Sequence, residues 1–450
     1  MRRFFVQNFG CRATQADGAA IGQQLESRGM TPAGDAREAD LVVVNTCTVT
    51  SSADEDARQA VRRFHRQNPG ARILVTGCYA QRAPGELAAL PGVTWVVGNS
   101  HKAQVGDIVA PGSSFVPLWR LTGAHPAAPV PGGKPRIITG DISRHTDWAH
   151  TEVLAAPVLG TGAERTRPNV KIQDGCNNRC SFCIIPAVRG RSRSLGADTV
   201  IGQIRGLGRA GYREVVLSGI NLGRYGRDLP SRLTFAAVVR RVLEETAIER
   251  VRISSVEPLD WTDELLELMA ASPRIARHVH APLQSGSDAV LKRMYRRYRA
   301  SQYEDRLRRA SSLLPDAAFG ADIMAGFPGE TGEEFDQTRQ LIERLPFTYL
   351  HVFTYSRRSG TRADAMPAQV HGRVARERNR VLRELAARKN LEFRRRMVGR
   401  ALSVITLEDG SALSDNYLKV FFEGPPPPAN RILDARITAV AAGGLLARAA

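Results

Sequence analysis

Three closely spaced cysteines directly after a predicted strand constrain this chain more than any other feature. Cys176, Cys180 and Cys183 are separated by three and two residues, and the strand candidate Val170–Gln173 ends just before them. Three thiolates on one short loop can ligate a single metal centre. Loops at the carboxyl ends of barrel strands carry active sites, so we expect a metal centre at the end of this strand.

The spacing indicates a 4Fe–4S cluster with one iron left open. Such a cluster has four irons and normally takes four cysteine ligands, but no fourth cysteine is near these three in the sequence. The open iron could take an outside ligand, as catalytic metal sites do. A closed zinc site is the alternative, but it needs a fourth ligand, and the nearest histidines, His145 and His150, lie in a predicted linker.

The other three cysteines are far apart in sequence but occupy equivalent positions. Cys11, Cys47 and Cys78 each lie just past the end of a predicted strand. The carboxyl ends of parallel strands meet along one edge of an open sheet, where ligands bind. Two interpretations remain open at this point: a second metal centre, or three unrelated buried thiols, which are common for cysteine.

Residues 1–111 alternate strand and helix signals, as an open parallel sheet does. The strand candidates are Arg3–Gln7, Leu41–Asn45, Ile73–Thr76 and Trp95–Val97, and the helix candidates include Gln15–Arg28 and Ala53–Arg66. Residues 112–168 have weak periodicity and recurrent proline and glycine. We interpret them as a linker with a few strand residues, such as Ile137 and Ile138.

Residues 169–397 regain the alternation and end in a long charged helix. The six strand candidates are Val170–Gln173, Glu214–Leu217, Val251–Ser254, His278–Pro282, Ala321–Met324 and Leu350–Thr354. Six βα units are fewer than the eight of a closed barrel, so the pattern predicts a partial (β/α)6 barrel.

Residues 398–450 contain three short strand candidates, Leu402–Leu407, Asn416–Phe422 and Ile432–Val440. They predict a small β-barrel of roughly OB type, a fold that binds oligonucleotides. The predicted fold class is therefore α/β, with an open parallel amino-terminal domain, a central partial barrel and a carboxy-terminal β-barrel.

The charge of the chain favours a polyanionic partner. Its 63 Lys and Arg against 45 Asp and Glu leave a net charge of +18, and phosphate contacts of such residues release counterions from nucleic acid. The basic segments are Arg189–Arg193, Lys292–Arg299 and Arg394–Arg396. The first could guide RNA phosphates inward, and Tyr295 and Tyr298 of the second could stack on bases; a solvated charged face is the alternative for each segment.

The sequence contains no apolar run near the length of about 20 residues that spans a bilayer, and its start has no apolar signal region. We therefore expect a cytoplasmic protein that neither spans nor binds a membrane. Thiols stay reduced in that compartment, so the six cysteines point to metal or redox chemistry before disulfides. The nine histidines show no metal-ligand spacing; His278 and His280 are interpreted as core or cavity groups, and Asp174 as a turn residue.

Cys176–Cys183, with Phe182 before the last cysteine, resembles the radical S-adenosylmethionine (SAM) superfamily. Together with Cys11, Asn45–Cys47 and Gly77–Cys78 it resembles the methylthiotransferase family. Further matching stretches are Gly219–Tyr225, Ser254–Pro258, Leu283–Ser287 and Gly326–Glu330. The resemblance covers nearly the whole chain and implies an amino-terminal cluster domain (1–111), a linker (112–168), a radical SAM core (169–397) and a TRAM domain (398–450).

The resemblance implies two 4Fe–4S clusters. The cluster on the catalytic Cys176, Cys180 and Cys183 would bind SAM, whose reductive cleavage gives a 5′-deoxyadenosyl radical. The cluster on Cys11, Cys47 and Cys78 would carry the sulfur, which a second SAM methylates. Residues expected to contact SAM are Phe182, Gly219, Asn221, Ser255, Glu257 and Gln284. A turn glycine at Gly219 and a solvated loop carboxylate at Glu257 are the structural alternatives.

Within the family, Thr46–Thr50 with Ala53-Asp54, Gly77–Gln81 and Asn416–Val420 most resemble the branch that acts on threonylcarbamoyladenosine; Tyr295 departs from its pattern. The resemblance implies methylthiolation of carbon 2 of that nucleoside at position 37 of tRNA. It also implies a sulfur donor and an electron donor such as flavodoxin or ferredoxin. The alternatives are isopentenyladenosine in tRNA, an aspartate of a ribosomal protein, or a non-enzymatic iron–sulfur or RNA-binding role.

Overall fold

The computed structural model describes residues 1–110, 134–144 and 166–449. The chain divides into two compact units. The first unit comprises the described parts of Met1–Leu154, Asp174–Asn178 and Cys183–Arg193; the second comprises those of Ala155–Gln173, Arg179–Phe182 and Ser194–Ala450. Among the described helices, none combines the length and the apolar character that crossing a membrane requires.

The first unit is built on a parallel sheet of six strands in the order β2-β1-β3-β4-β5-β6. Its elements are β1 (Arg3–Asn8), α1 (Arg12–Glu26), β2 (Thr31–Pro32), β3 (Leu41–Thr46), α2 (Ser51–Gln67), β4 (Arg72–Gly77), α3 (Cys78–Arg82), α4 (Pro84–Ala88), β5 (Val93–Gly98), α5 (Val105–Val109), β6 (Arg136–Ile138) and α6 (Ile185–Arg189). The open parallel sheet predicted from the sequence is confirmed, and β6 contains the predicted Ile137 and Ile138.

The central strand β3 shows why this sheet forms. All six of its residues are buried, as a strand covered on both faces requires. Val42 and Val44 pack into the core on one face of the sheet, and Leu41 and Val43 pack into the core on the other. Alternate residues of one apolar run therefore fill two separate cores.

The α/β part of the second unit contains seven strands in two sheets, ordered β10-β9-β7-β8 and β11-β12-β13, and six of them are the predicted parallel strands. Its elements are β7 (Asn169–Asp174), β8 (Arg193–Ser194), α7 (Ala197–Arg209), β9 (Glu214–Gly219), α8 (Phe235–Glu245), β10 (Arg250–Ile253), α9 (Asp263–Ala271), β11 (His278–His280), α10 (Asp288–Arg293), α11 (Ala300–Leu313), β12 (Ala318–Ala325), α12 (Gly332–Arg344), β13 (Tyr349–Thr354) and α13 (Gly372–Met397). The predicted strands are all present, and β8 is a short addition at one edge.

Local sequence signals set where these helices begin. Thr234 and Thr262 accept hydrogen bonds at the starts of α8 and α9. Thr331 and Glu334 form a capping box at the start of α12. The helices and strands enclose one apolar core, so the six βα repeats form the partial barrel expected from the sequence.

The second unit ends in a closed five-stranded barrel in the order β14-β15-β16-β18-β17. The strands are β14 (Ala401–Thr406), β15 (Ala412–Ser414), β16 (Lys419–Phe422), β17 (Ile432–Ala441) and β18 (Gly444–Ala449). The predicted small β-barrel is confirmed, although the sequence patterns missed β15 and β18. Arg252 of β10 donates to the backbone oxygens of Ser414 and Asp415, each at 3.0 Å, and so ties the barrel to the α/β part.

Candidate active site

Three cysteines of the first unit lie at one edge of its sheet. Cys11 precedes α1, Cys47 follows β3, and Cys78 opens α3 directly after β4. The strands β1, β3 and β4 are neighbours, and their last residues are in register. The three thiols therefore come from the same end of adjacent parallel strands, where open α/β sheets bind ligands.

Two glycines allow the chain to pass close beside these cysteines. A Cβ on Gly10 would lie 2.6 Å from Cβ and 2.9 Å from Sγ of Cys47. A Cβ on Gly77 would overlap the backbone of Thr46. Both glycines have positive φ, 105° and 97°, a conformation that other residues adopt only with strain. They bring the segments that carry Cys11 and Cys78 against the end of β3.

The three thiols are close enough to influence one another's ionisation. Burial raises the pKa of Cys47 to about 12, and negative charge on Cys78 and Cys11 adds to the effect. Three thiolates therefore need a cationic centre to coexist, and bound iron supplies that charge. The donor set fits a cluster held by three cysteines, and all three cysteines are free.

A buried ion-pair network lies next to these cysteines. Arg189 donates to Asp174 and to Asp17, each at 3.0 Å, and Lys102 contacts the same two carboxylates at 3.3 and 3.0 Å. Arg189 is only 1% exposed. The prediction that Arg189 guides RNA phosphates is therefore wrong, because its guanidinium is enclosed and paired.

The same network corrects the interpretation of Asp174. Its Oδ1 accepts a hydrogen bond from the backbone of Gly175 at 2.9 Å, as a turn residue would. Both of its oxygens also hold buried cations. Sequence spacing gave no sign of this, because Asp17, Lys102 and Asp174 come from distant parts of the chain.

The network places positive charge beside the three cysteines. Burial alone would lower the pKa of Arg189, but negative charge on Cys78, Asp174, Asp17 and Cys11 raises it well above its usual value. Asn99 contributes a further donor, with Nδ2 3.5 Å from Sγ of Cys78. Nε of Arg189 is buried and has no hydrogen-bond partner among the described residues.

The close-spaced cysteines lie on the loop between β7 and α6. In the first unit, the backbone N–H of Cys176 donates to Gly190 at 3.1 Å, and that of Asn178 donates to Sγ of Cys176 at 3.4 Å. Cys176 is thus held at the start of the loop. A backbone N–H aimed at its sulfur favours the thiolate that a metal requires.

The middle of this loop is fixed by the second unit. Ser181 donates its backbone N–H to Met294 at 3.1 Å and its hydroxyl to Arg293 at 2.8 Å. Arg296 donates to Sγ of Cys180 at 3.4 Å and also pairs with Glu257. Arg296 belongs to a segment that the sequence suggests for RNA binding, whereas its guanidinium supports a cysteine of the loop.

The aromatic residues near this loop differ from one another in exposure. Phe182 packs edge-on against Phe327, with ring centroids 6.4 Å apart. Tyr298 is 6% exposed and its hydroxyl bonds to two backbone oxygens, so the prediction that it stacks on a base is wrong. Tyr295 is 47% exposed and carries Arg362 over its ring.

Besides Phe182 on the loop after β7, the residues expected to contact SAM lie at or after the carboxyl ends of β9, β10 and β11 in the second unit. A Cβ on Gly219 would lie 2.8 Å from Leu222 and 3.0 Å from Gln173, so close packing also requires a glycine there. The backbone of Asn221 donates to Gln173 at 2.6 Å. These contacts fix the loop after β9.

The remaining expected contacts are also engaged within the protein. Ser255 lies 2.6 Å from Nδ1 of His280, and Glu257 pairs with Arg296 rather than lying free in solvent. Gln284 has a positive φ of 65° and is held by backbone hydrogen bonds to β12. A positive φ is unusual for a residue other than glycine, which indicates that the backbone after β11 is held in a constrained conformation.

Two family profiles match the chain. Residues 3–98 match the family described as Uncharacterized protein family UPF0004, and residues 170–342 match the Radical SAM superfamily. The first match covers the sheet that carries Cys11, Cys47 and Cys78. The second begins at β7 and covers the loop of Cys176, Cys180 and Cys183.

Curated relatives match nearly the whole chain. The threonylcarbamoyladenosine tRNA methylthiotransferase MtaB of Bacillus subtilis (strain 168) is 37% identical over 438 residues, which cover 95% of this chain and 92% of the relative. The protein of the same name from Aquifex aeolicus (strain VF5) is 33% identical, covering 93% and 96%. A tRNA-2-methylthio-N(6)-dimethylallyladenosine synthase of Saccharopolyspora erythraea is 33% identical, covering 90% and 79%.

A solved structure shares the fold. The radical SAM methyltransferase TsrM of Kitasatospora setae, solved with cobalamin and a [4Fe-4S] cluster bound, aligns with a TM-score of 0.58 at 16% identity, covering 81% of this chain and 77% of that one. The cofactors that follow from the family are SAM and 4Fe–4S clusters. With both profiles matched in order and relatives aligned over nearly all of its length, the chain belongs to the radical SAM methylthiotransferase family.

Proposed function

We propose that this protein transfers a methylthio group to carbon 2 of threonylcarbamoyladenosine at position 37 of tRNA. The observation that carries the proposal is the presence of two separate three-cysteine sets, each one ligand short of a complete cluster shell. Such a pair provides two open irons in one chain, one for SAM and one for sulfur. The names of the relatives from Bacillus subtilis and Aquifex aeolicus support the substrate.

Cys176, Cys180 and Cys183 would hold the cluster that binds SAM. When bound, the cofactors supply an adenosyl radical and an activated sulfur, and the protein supplies orientation and charge. Asn178 and Arg296 donate to the sulfurs of Cys176 and Cys180, which holds both sulfurs in place. Ser181 anchors the loop between them by two backbone contacts.

Cys11, Cys47 and Cys78 would hold the second cluster. Cys47 and Cys78 are buried, Cys11 is exposed, and the Arg189 guanidinium interacts with all three, so its positive charge would offset part of the negative charge of three thiolates. In a low-dielectric setting this compensation is stronger than it would be in water.

Residues of the second unit would contact SAM. We assign Phe182, Gly219, Asn221, Ser255, Glu257 and Gln284 to this role. Gly219 and Asn221 belong to one fixed loop after β9, and the pair of Glu257 with Arg296 joins a carboxylate to the support of Cys180. These contacts favour a site that is shaped before the ligand binds.

The tRNA would be bound by basic surface and by the carboxy-terminal barrel. Lys292, Arg297 and Arg299 are exposed beside Tyr295 and line a cleft of about 700 Å³.

We assign residues 1–111 to sulfur delivery, 169–397 to SAM chemistry and 398–450 to RNA binding, with 112–168 as the linker. The reaction would also need a sulfur donor and an electron donor such as flavodoxin or ferredoxin. Because the proposed substrate is tRNA, we expect the protein to act in the cytoplasm.

The alternative substrate is an isopentenylated adenosine of tRNA. The relative from Saccharopolyspora erythraea, named for dimethylallyladenosine, is as similar to this chain as some named for threonylcarbamoyladenosine. Both substrates require the same cysteine sets, so the site chemistry does not depend on the choice.

Mass spectrometry of nucleosides from bulk tRNA tests the proposal in cells with and without the gene. We expect the methylthio form of threonylcarbamoyladenosine to vanish on deletion and to return with the wild-type gene but not with Cys47→Ala. Loss of the methylthio form of isopentenyladenosine instead would show that the substrate assignment is wrong. No change in any tRNA nucleoside would refute tRNA methylthiolation.

A further inference from the structure

Three potential metal ligands lie side by side in the second unit, away from the six cysteines in sequence. His280, Asp322 and His351 come from the adjacent parallel strands β11, β12 and β13. Asp322 and His351 are direct partners in the strand register. The fold therefore brings together residues whose sequence spacing shows no metal-ligand pattern.

The donor atoms of these residues have the separations of a metal shell. Nδ1 of His351 lies 3.2 Å and Nε2 of His280 lies 3.4 Å from Oδ1 of Asp322. All three donors lie within 4.8 Å of one another. Ligands at 2.0–2.1 Å from a tetrahedral zinc ion are roughly 3.3–3.4 Å apart, so the two separations to Asp322 already match and only the distance between the two histidines has to adjust.

His280 is oriented as metal-bound histidines usually are. Its Nδ1 lies 2.6 Å from the hydroxyl of Ser255, which leaves Nε2 as the ring nitrogen facing Asp322. His280 is 7% exposed, and its Nε2 has no hydrogen-bond partner in the described part of the chain, although Oδ1 of Asp322 lies 3.4 Å away. A buried nitrogen fixed from behind and aimed at a carboxylate is arranged for a cation.

Solvent access to the three side chains and their combined charge also suit a divalent metal ion. The side chain of His351 is 51% exposed, so an ion can reach the group from solvent. With both imidazoles neutral, the set carries one negative charge from Asp322, which a divalent ion compensates. Two imidazoles and one carboxylate suit zinc and other divalent transition metals, and they leave at least one coordination position open.

We propose that His280, Asp322 and His351 form a binding site for one divalent transition-metal ion of the zinc class. Ser255 is a positioning residue that fixes the ring of His280. The site uses none of the six cysteines, although its positioning residue Ser255 is also one of the residues assigned to SAM contact.

Zinc binding to the protein with its clusters loaded tests the proposal. The protein is dialysed anaerobically against micromolar Zn²⁺, and bound zinc is measured by plasma mass spectrometry beside cluster iron and sulfide. We expect one zinc per chain in the wild type. His351→Ala and Asp322→Asn should each remove it, and Ser255→Ala should weaken the affinity by about tenfold.

His371→Ala is the matched control, because His371 is exposed and lies at the start of α13, outside the triad. It should keep the zinc of the wild type. Iron and sulfide contents equal to those of the wild type show that the variants are folded and that zinc has not replaced cluster iron. The proposal is overturned if the folded wild type binds no zinc, or if its zinc persists in both His351→Ala and Asp322→Asn.

Discussion

At the residue scale, Arg189 shows how a charge from a basic segment can be buried and fully enclosed in ion pairs. Its guanidinium pairs with Asp17 and Asp174, and Lys102 completes the set with two cations on two carboxylates. Removing one member of a buried set leaves an uncompensated charge, which costs more than the pair contributes. A basic segment in the sequence is commonly exposed, and only the fold shows that this one is not.

We predict that Arg189→Ala lowers the free energy of unfolding by about 3–5 kcal/mol, because Asp17 and Asp174 lose a shared cation. Urea denaturation of the cluster-free protein measures the change. The neighbouring exposed Arg191 provides the control, and Arg191→Ala should alter stability by no more than about 0.5 kcal/mol. Equal stability of Arg189→Ala and the wild type would refute the role of the network.

The ionisation of Cys47 gives a second prediction at this scale. With its pKa raised to about 12, mainly by burial, the thiol of Cys47 stays protonated at neutral pH and is a poor nucleophile. Alkylation of the cluster-free protein, followed by mass spectrometry across pH, should label Cys47 only as the pH approaches 12. Cys11 is exposed and serves as the internal control. Labelling of Cys47 at pH 8 as fast as that of Cys11 would contradict the prediction.

The same shift has a defined effect on stability. A thiol with a raised folded-state pKa binds its proton more tightly in the folded than in the unfolded protein. Stability from this group is therefore present below the unfolded pKa and is lost as the pH rises toward 12.

At the scale of elements, the carboxyl ends of parallel strands determine where the cysteines of the first unit lie. Apolar runs such as Leu41–Val44 located the strands, and the rule that parallel strands end at one edge brought Cys11, Cys47 and Cys78 together. The strand β15 escaped prediction because it has only three residues, and β18 because it contains no β-branched or aromatic residue. Local sequence patterns also could not show that Arg296 donates to Cys180 or that the hydroxyl of Tyr298 bonds to the backbone of Leu283.

We predict that Gly77→Ala displaces the start of α3 and with it Cys78, since a Cβ there would overlap Thr46 and φ is +97°. The melting temperature should fall, and the iron bound by the first unit should be reduced. Gly70→Ala is the control at the other end of β4, where the nearest atom to a Cβ is 3.8 Å away and φ is not positive. Full iron loading of Gly77→Ala would contradict this account of the strand end.

At the scale of the whole molecule, the 63 Lys and Arg side chains behind the net charge of +18 include both internally paired groups and free surface groups. Arg189, Arg252 and Arg296 are buried and paired, so they do not contribute to an RNA surface. Exposed groups such as Lys292 and Arg297 remain available. The sequence thus indicated the class of partner, whereas the structure is needed to decide which charges can meet it.

We predict that tRNA affinity falls steeply with salt and that Lys292→Ala and Arg297→Ala each reduce the slope of log Kd against log salt by about 1. The physical reason is that each variant removes one phosphate contact. Arg240→Ala is the control, because Arg240 is already paired with Glu264 at 3.0 Å. Filter binding over a range of salt concentrations gives the slopes, and unchanged slopes in both variants would exclude this surface.

We expect one chain to hold two clusters on two separate cysteine sets, and the iron content of the anaerobically reconstituted protein shows whether it does. The wild type should bind about eight irons, and replacing either Cys11, Cys47 and Cys78 or Cys176, Cys180 and Cys183 by alanine should leave about four. The two triple variants should also give different electron paramagnetic resonance spectra. A wild type that holds only about four irons, all lost on replacing one of the two sets, would contradict the account.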